Sequence, residues 1–244
     1  RLAAFCLVTS CVPVGAGAAP TGSACADLAA LRIDDANLLS ASVVPAAAGL
    51  PEHCRILGVI RPAINFEVRL PTRDWNGKLY MAGCGGFCGR LDSDLPGFTN
   101  AMNHGLRRGY AAATMDSGHW GAHRADGRWA WNNRLAETDW AWRGVTETAR
   151  VAKVLVVAHY DQPQHKSYFA GCSTGGRMAL MAVKAVATFG VMRAFRIPAG
   201  DALHGALLLS QTGEFALILF ALAADQRMIG ASERQMLYQV VVFS

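Results

Sequence analysis

The chain has 244 residues, of which 52% are apolar and 17% charged, against about 25% charged in an average globular protein. That balance excludes a disordered chain, and the length excludes a small disulfide-stapled scaffold. The net charge of +5 arises from 23 basic and 18 acidic residues spread along the sequence, with Arg107 and Arg108 the one adjacent basic pair; this is a poor footprint for nucleic acid, and no nucleic-acid partner is expected.

Residues 1–26 carry a single charge, Arg1. Leu2–Val14 is mostly apolar and leads to Ala16-Gly17-Ala18, the small residues that signal peptidase requires. Residues 1–19 therefore read as a secretion signal, truncated because no Met opens it. The apolar part is too short to cross a ~30 Å hydrocarbon core. A rival reading takes Val8-Thr9-Ser10-Cys11 as a lipoprotein box with a lipid on Cys11, and a third takes the segment as buried structure. Either export reading puts the protein in a periplasmic or secreted, oxidising setting where disulfides persist.

From Asp27 to about Ala182 the chain reads as an ordinary globular enzyme and holds all 6 Trp. Ile64–Leu70 alternates as a strand, with Ile64, Phe66, Val68 and Leu70 on one face and Asn65, Glu67 and Arg69 on the other. Leu79–Ala82 is a short apolar run that ends in the glycine loop Gly83-Cys84-Gly85-Gly86-Phe87-Cys88-Gly89. Tyr110–Met115 is a further strand, closed by Asp116-Ser117-Gly118. Glu137–His159 has helical spacing, with Ala141, Val145, Ala149, Ala152 and Val156 sharing a face. Ser167–Gly171 is again a strand and Thr174 opens a helix, so the alternation is that of an α/β fold with a parallel-rich sheet.

Gly171-Cys172-Ser173-Thr174-Gly175 fits G-x-S-x-G between a strand and a helix. In that setting Ser173 stands on a strained turn as a nucleophile, and the glycines let strand and helix approach. The Thr174 N–H would point at a developing oxyanion, with Gly85 or Gly86 supplying the second donor. The plainer alternative is a serine N-cap on an ordinary helix. A nucleophilic serine needs a base and an orienting acid, in the order Ser, Asp or Glu, His. After Ser173 the chain holds one histidine, His204, and the acids Asp201, Glu214, Asp225 and Glu233. Asp201 alone precedes His204, which makes a poor triad. The upstream histidines break the order and read mostly as loop or surface residues. Cys84 and Cys88 share the glycine loop, a spacing open to a local bridge.

Ala202–Ala224 is mostly apolar, with one formal charge, Glu214, and one histidine, His204. As a helix it would be long enough to span a bilayer at ~1.5 Å per residue, which raises membrane association through residues 202–224.

The middle of the chain resembles the tannase and feruloyl esterase family of α/β-hydrolases, from about Cys25 to Leu180. The resemblance rests on Pro51-Glu52-His53-Cys54-Arg55, Ile64–Pro71, Trp75-Asn76-Gly77-Lys78, Gly83–Gly86, Asp116–His119 and above all Ser167–Arg177. It implies that Ser173 accepts the acyl group of a small phenolic-acid ester, and that Cys25 pairs with Cys54. It further implies that the histidine, the acid, the cysteine partner of Cys172 and a lid with a calcium site belong to a missing half. No metal or other cofactor is then expected in this chain, and as written it is expected to be inactive. The tail, Ala202–Ala216 with Val183–Pro198 before it, resembles late transmembrane helices of monovalent cation–proton antiporters of the glutathione-regulated potassium-efflux type. Together the two imply an incomplete α/β-hydrolase part, 20–182, joined to a hydrophobic helical segment of unrelated origin, 183–244. The alternative reading is a membrane fragment of such an antiporter, or a non-functional fusion.

Overall fold

The computed structural model describes residues 23–94 and 100–209. The leader, Cys11 and most of the 202–224 run lie outside the described residues.

Three strands come first in the chain: β1 (Ala36–Val44), β2 (His53–Ile60) and β3 (Ile64–Pro71). Each is antiparallel to the next. Short connections dictate this, because a parallel pair needs a crossover of a dozen or more residues. The chain then makes two such crossovers. β4 (Lys78–Ala82) leads through α1 (Asn103–Leu106) to β5 (Ala111–Met115), and β5 leads through α2 (Arg134–Thr138) and α3 (Gly144–Tyr160) to β6 (Lys166–Ala170). The sheet order is β1-β2-β3-β5-β4-β6. β5, β4 and β6 run parallel, while β3 and β5 are antiparallel. The expected parallel-rich sheet is thus corrected to a mixed one, because the N-terminal third is a hairpin meander.

Both faces of β3 are buried. Phe66, Val68 and Leu70 enter the main core with Ile56, Leu79, Met115, Val151 and Leu155. On the other face Glu67 and Arg69 are buried as well. Arg69 bonds Glu67 (2.8 Å), Asp94 (2.7 Å) and Asn103 (2.7 Å), Arg55 bonds Glu67 (2.7 Å), and the Ser93 hydroxyl donates to Glu67 (2.5 Å). Burying these charges is tolerable because each is paired and hydrogen-bonded.

Between α2 and α3 a π-helical stretch, Asp139–Arg143, inserts an extra residue into the turn. The buried face of α3 is consequently Val145, Thr148, Val151, Ala152, Leu155 and Val156, while Ala149 of the expected stripe is half-exposed. α4 (Thr174–Ala194) continues unbroken across Ala182 and Val183, and α5 (Ala199–Leu209) folds back on it with Ala202 and Ala206 buried. Among the described residues no helix is long and apolar enough to cross a membrane. The expected transmembrane-like tail is corrected to that extent: α4 carries Arg177, Lys184 and Arg193, and α5 has 11 residues among those described.

Candidate active site

β6 ends at Ala170 and α4 begins at Thr174, so the turn between them is very tight. Ser173 closes it with φ 57° and ψ −124°, a conformation that residues with a Cβ rarely hold. Its side chain makes no capping hydrogen bond to α4, and the residue is exposed. An ordinary N-cap serine would have extended dihedrals and a bond to the helix N–H groups.

The flanking glycines are required sterically. A Cβ on Gly171 would lie 2.6 Å from the Gly175 Cα, and one on Gly83 would lie 2.7 Å from the same atom. The glycine loop after β4 is thereby packed directly on the first turn of α4. The Gly83 N–H also donates to the Ala170 carbonyl (2.9 Å). Cys84 and Cys88 are disulfide-bonded across this loop, as are Cys25 and Cys54 further back, while the Cys172 thiol is free and exposed. Neither Gly85 nor Gly86 donates its N–H to a backbone carbonyl among the described residues. Gly85 is buried and Gly86 exposed at φ +60°.

An aromatic cluster backs the loop. Phe87 faces Trp129 (6.3 Å between ring centroids) and Trp140 (6.1 Å). His119 stacks on Trp129 at 3.8 Å. Arg177, one turn into α4, lies 3.9 Å above the Trp140 ring and donates to the carbonyls of Trp140 (2.8 Å) and Ala141 (3.1 Å). That clamp fixes the start of α4 to the π-helical stretch. The periodicity of the sequence carried no signal for it, since π insertions and stacking partners are non-local features.

His53, His119 and His159 are buried; for His53 on β2 and His159 on α3 this corrects the expectation that most upstream histidines are loop or surface residues, whereas His119 does lie in a loop. In each, Nδ1 faces a backbone carbonyl, of Pro51 (2.8 Å), Ser117 (3.3 Å) and Ser23 (3.0 Å). Burial lowers the pKa of all three and favours the neutral ring. His119 is the one in the loop that packs on the glycine loop. Beside it Asp116, buried at the end of β5, accepts from the Asn65 N–H (3.0 Å), the Asn65 side chain (2.6 Å) and the Gly118 N–H (2.9 Å). Burial nonetheless raises its pKa to about 6.

His204 stands apart. Its neighbour Gly205 packs on Met192, which lies about 27 Å of helix rise beyond Thr174. Asp201 and His204 are both exposed on α5. The structure does not bring them to Ser173. Among the described residues no group of three His, Cys, Asp or Glu is placed to hold a metal ion.

A parallel strand, a strained serine turn and a helix packed on a glycine loop define the α/β class of serine hydrolase sites. Residues 51–187 match the family model described as Tannase and feruloyl esterase, and the chain belongs to that family. It is 38% identical over 180 residues to an uncharacterized esterase of Xanthomonas campestris pv. campestris, covering 68% of this chain and 30% of the relative. Over 157 residues it is 31% identical to the mono(2-hydroxyethyl) terephthalate hydrolase of Piscinibacter sakaiensis, covering 58% of this chain and 26% of that enzyme. The crystal structure of feruloyl esterase B from Aspergillus oryzae superposes with a TM-score of 0.55 at 28% identity, over 64% of this chain and 33% of that one. The family's homologues are carboxylic ester hydrolases, and the chain spans about a third of their length.

Proposed function

We propose that Ser173 is the nucleophile of an ester hydrolase that cleaves esters of aromatic, phenolic-type acids through an acyl-enzyme. The observation that carries this reading is the backbone of Ser173, held at φ 57° with its hydroxyl exposed and uncommitted to the helix. Such strain persists where the surroundings impose it, and glycine contacts from two directions do so here. The tetrahedral oxyanion would be held by the Thr174 N–H together with that of Gly85 or Gly86. The substrate class rests on the relatives, whose names specify feruloyl and terephthalate esters. Two disulfides support a periplasmic or extracellular setting.

A serine hydroxyl is a weak nucleophile without an adjacent base. With His204 out on α5 and away from Ser173, the 244-residue chain as it stands should show no measurable turnover of methyl ferulate or methyl gallate. Joining a family-type C-terminal half after Leu180 should produce turnover, and Ser173→Ala should abolish it. Turnover by the 244-residue chain that survives Ser173→Ala would refute the assignment. Among the described residues no structural observation favours the antiporter reading.

A further inference from the structure

At the end of the sheet opposite Ser173, where β2, β4 and β5 begin and β3 ends, the loops enclose a groove of about 740 Å³. Its walls include Arg73 from the turn after β3 and the adjacent pair Arg107 and Arg108 after α1. Glu52, Asp74, Pro51 and Ala46 complete the relevant lining. All three guanidinium groups are on exposed residues. None takes part in an ion pair among the described residues. Arg108 donates to the His104 carbonyl (3.0 Å) and keeps its remaining donors.

The groove is also held in shape. The Asn76 N–H bonds the Gly109 carbonyl (2.9 Å), the Asn76 side chain bonds the Arg108 carbonyl (2.7 Å), and the Thr72 N–H bonds the Glu52 carbonyl (3.1 Å). Three loops are thus stitched together before any ligand arrives, which lowers the ordering cost of binding. Glu52 accepts one bond from the Thr72 hydroxyl (2.7 Å) and, with Asp74, retains acceptor capacity.

We propose that this groove binds an acidic oligosaccharide. Guanidinium forks match carboxylates, the two carboxylates suit vicinal hydroxyls, and Pro51 with Ala46 offers an apolar patch to a sugar face. A simple anion would use the arginines alone and would be repelled by Glu52 and Asp74. The volume lies within the usual range for small-ligand sites. The site is independent of the ester chemistry proposed at Ser173.

The test is calorimetric titration of the full chain with trigalacturonate, maltotriose and citrate. Saturable binding of trigalacturonate that weakens with added NaCl, with maltotriose and citrate both weaker, is the expected result. Arg73→Ala/Arg107→Ala should lower that affinity by roughly tenfold or more, the worth of a charge-assisted hydrogen bond. Both positions are exposed, and circular dichroism checks the fold. Glu52→Gln/Asp74→Asn should weaken trigalacturonate while strengthening citrate. The proposal is overturned if trigalacturonate does not bind, if maltotriose or citrate binds as tightly, or if the arginine variant binds unchanged. Strengthening of both anions by the carboxylate variant would also overturn it.

Discussion

At Ser173 the site and the stability of the fold pull in opposite directions. Positive φ on a residue with a Cβ costs about 1–3 kcal/mol. Ser173→Gly should relieve it and raise the unfolding free energy by about 1 kcal/mol in urea melts, after the entropy of the added glycine is set against it. Ser173→Ala keeps the Cβ and should leave stability nearly unchanged. At Gly171 the reverse holds: an alanine there meets the Gly175 backbone, and the overpacking should cost about 1–3 kcal/mol. Asp116 supplies the pH signature. Its folded pKa of about 6 is above the ordinary 3.8, so between these values the native state binds more protons than the unfolded one. The stability contributed is full below pH ~4 and is lost as pH rises through ~6, to a total of roughly 3 kcal/mol. Asp116→Asn should flatten the stability curve across that window, and an unchanged slope would assign it to another group.

At the scale of elements, what could be read from the sequence is what is encoded locally. β3, β4, β5 and β6 all appear near their expected places because short apolar runs bounded by glycine, proline or aspartate need no distant partner to be recognised. The serine turn was legible for the same reason: its two glycines and its strand-to-helix context lie within a few residues. β1 and β2 were not foreseen. Ala36–Val44 is an edge strand with most positions exposed, so its composition carries little burial pattern. Nor could the sequence show that Glu67 and Arg69 are buried, since Ser93, Asp94 and Asn103 that satisfy them are 24 or more residues away. The Arg177–Trp140 clamp and the buried histidines share that dependence on tertiary partners. The Cys25–Cys54 bridge, with a sequence separation of 29, joins the 3-10 turn Ala26–Ala30 to β2. Cys25→Ser/Cys54→Ser should lower the unfolding free energy by roughly 3–4 kcal/mol on the chain-entropy account. A smaller loss, measured by denaturant titration, would mean that the reduced chain keeps the turn docked in its unfolded ensemble.

Across the whole molecule the buried contacts are unevenly divided. β5 is buried at every residue, β3 nearly so, and both have partners on each side. Among the described residues β6 pairs with β4 alone, and Lys166, Ser167 and Tyr168 are exposed. α5 adds little, with Ala202 and Ala206 its buried residues among those described. Local opening follows buried apolar contact and hydrogen-bond shielding, so the element that delivers Ser173 is held by fewer contacts than the meander behind it. Two local restraints act against this: the glycine packing of Gly83 and Gly171 on Gly175, and the Arg177 clamp on Trp140. Native-state hydrogen exchange should therefore resolve two levels. Amides of β2, β3 and β5 should exchange only through global unfolding, while those of β6 and α5 exchange through smaller openings with weak denaturant dependence. Arg177→Met, which removes the clamp without changing the sheet, should speed exchange in β6 and the first turn of α4 and leave β3 untouched. Equal protection of β6 and β3 would show instead that the serine turn is as firmly held as the core.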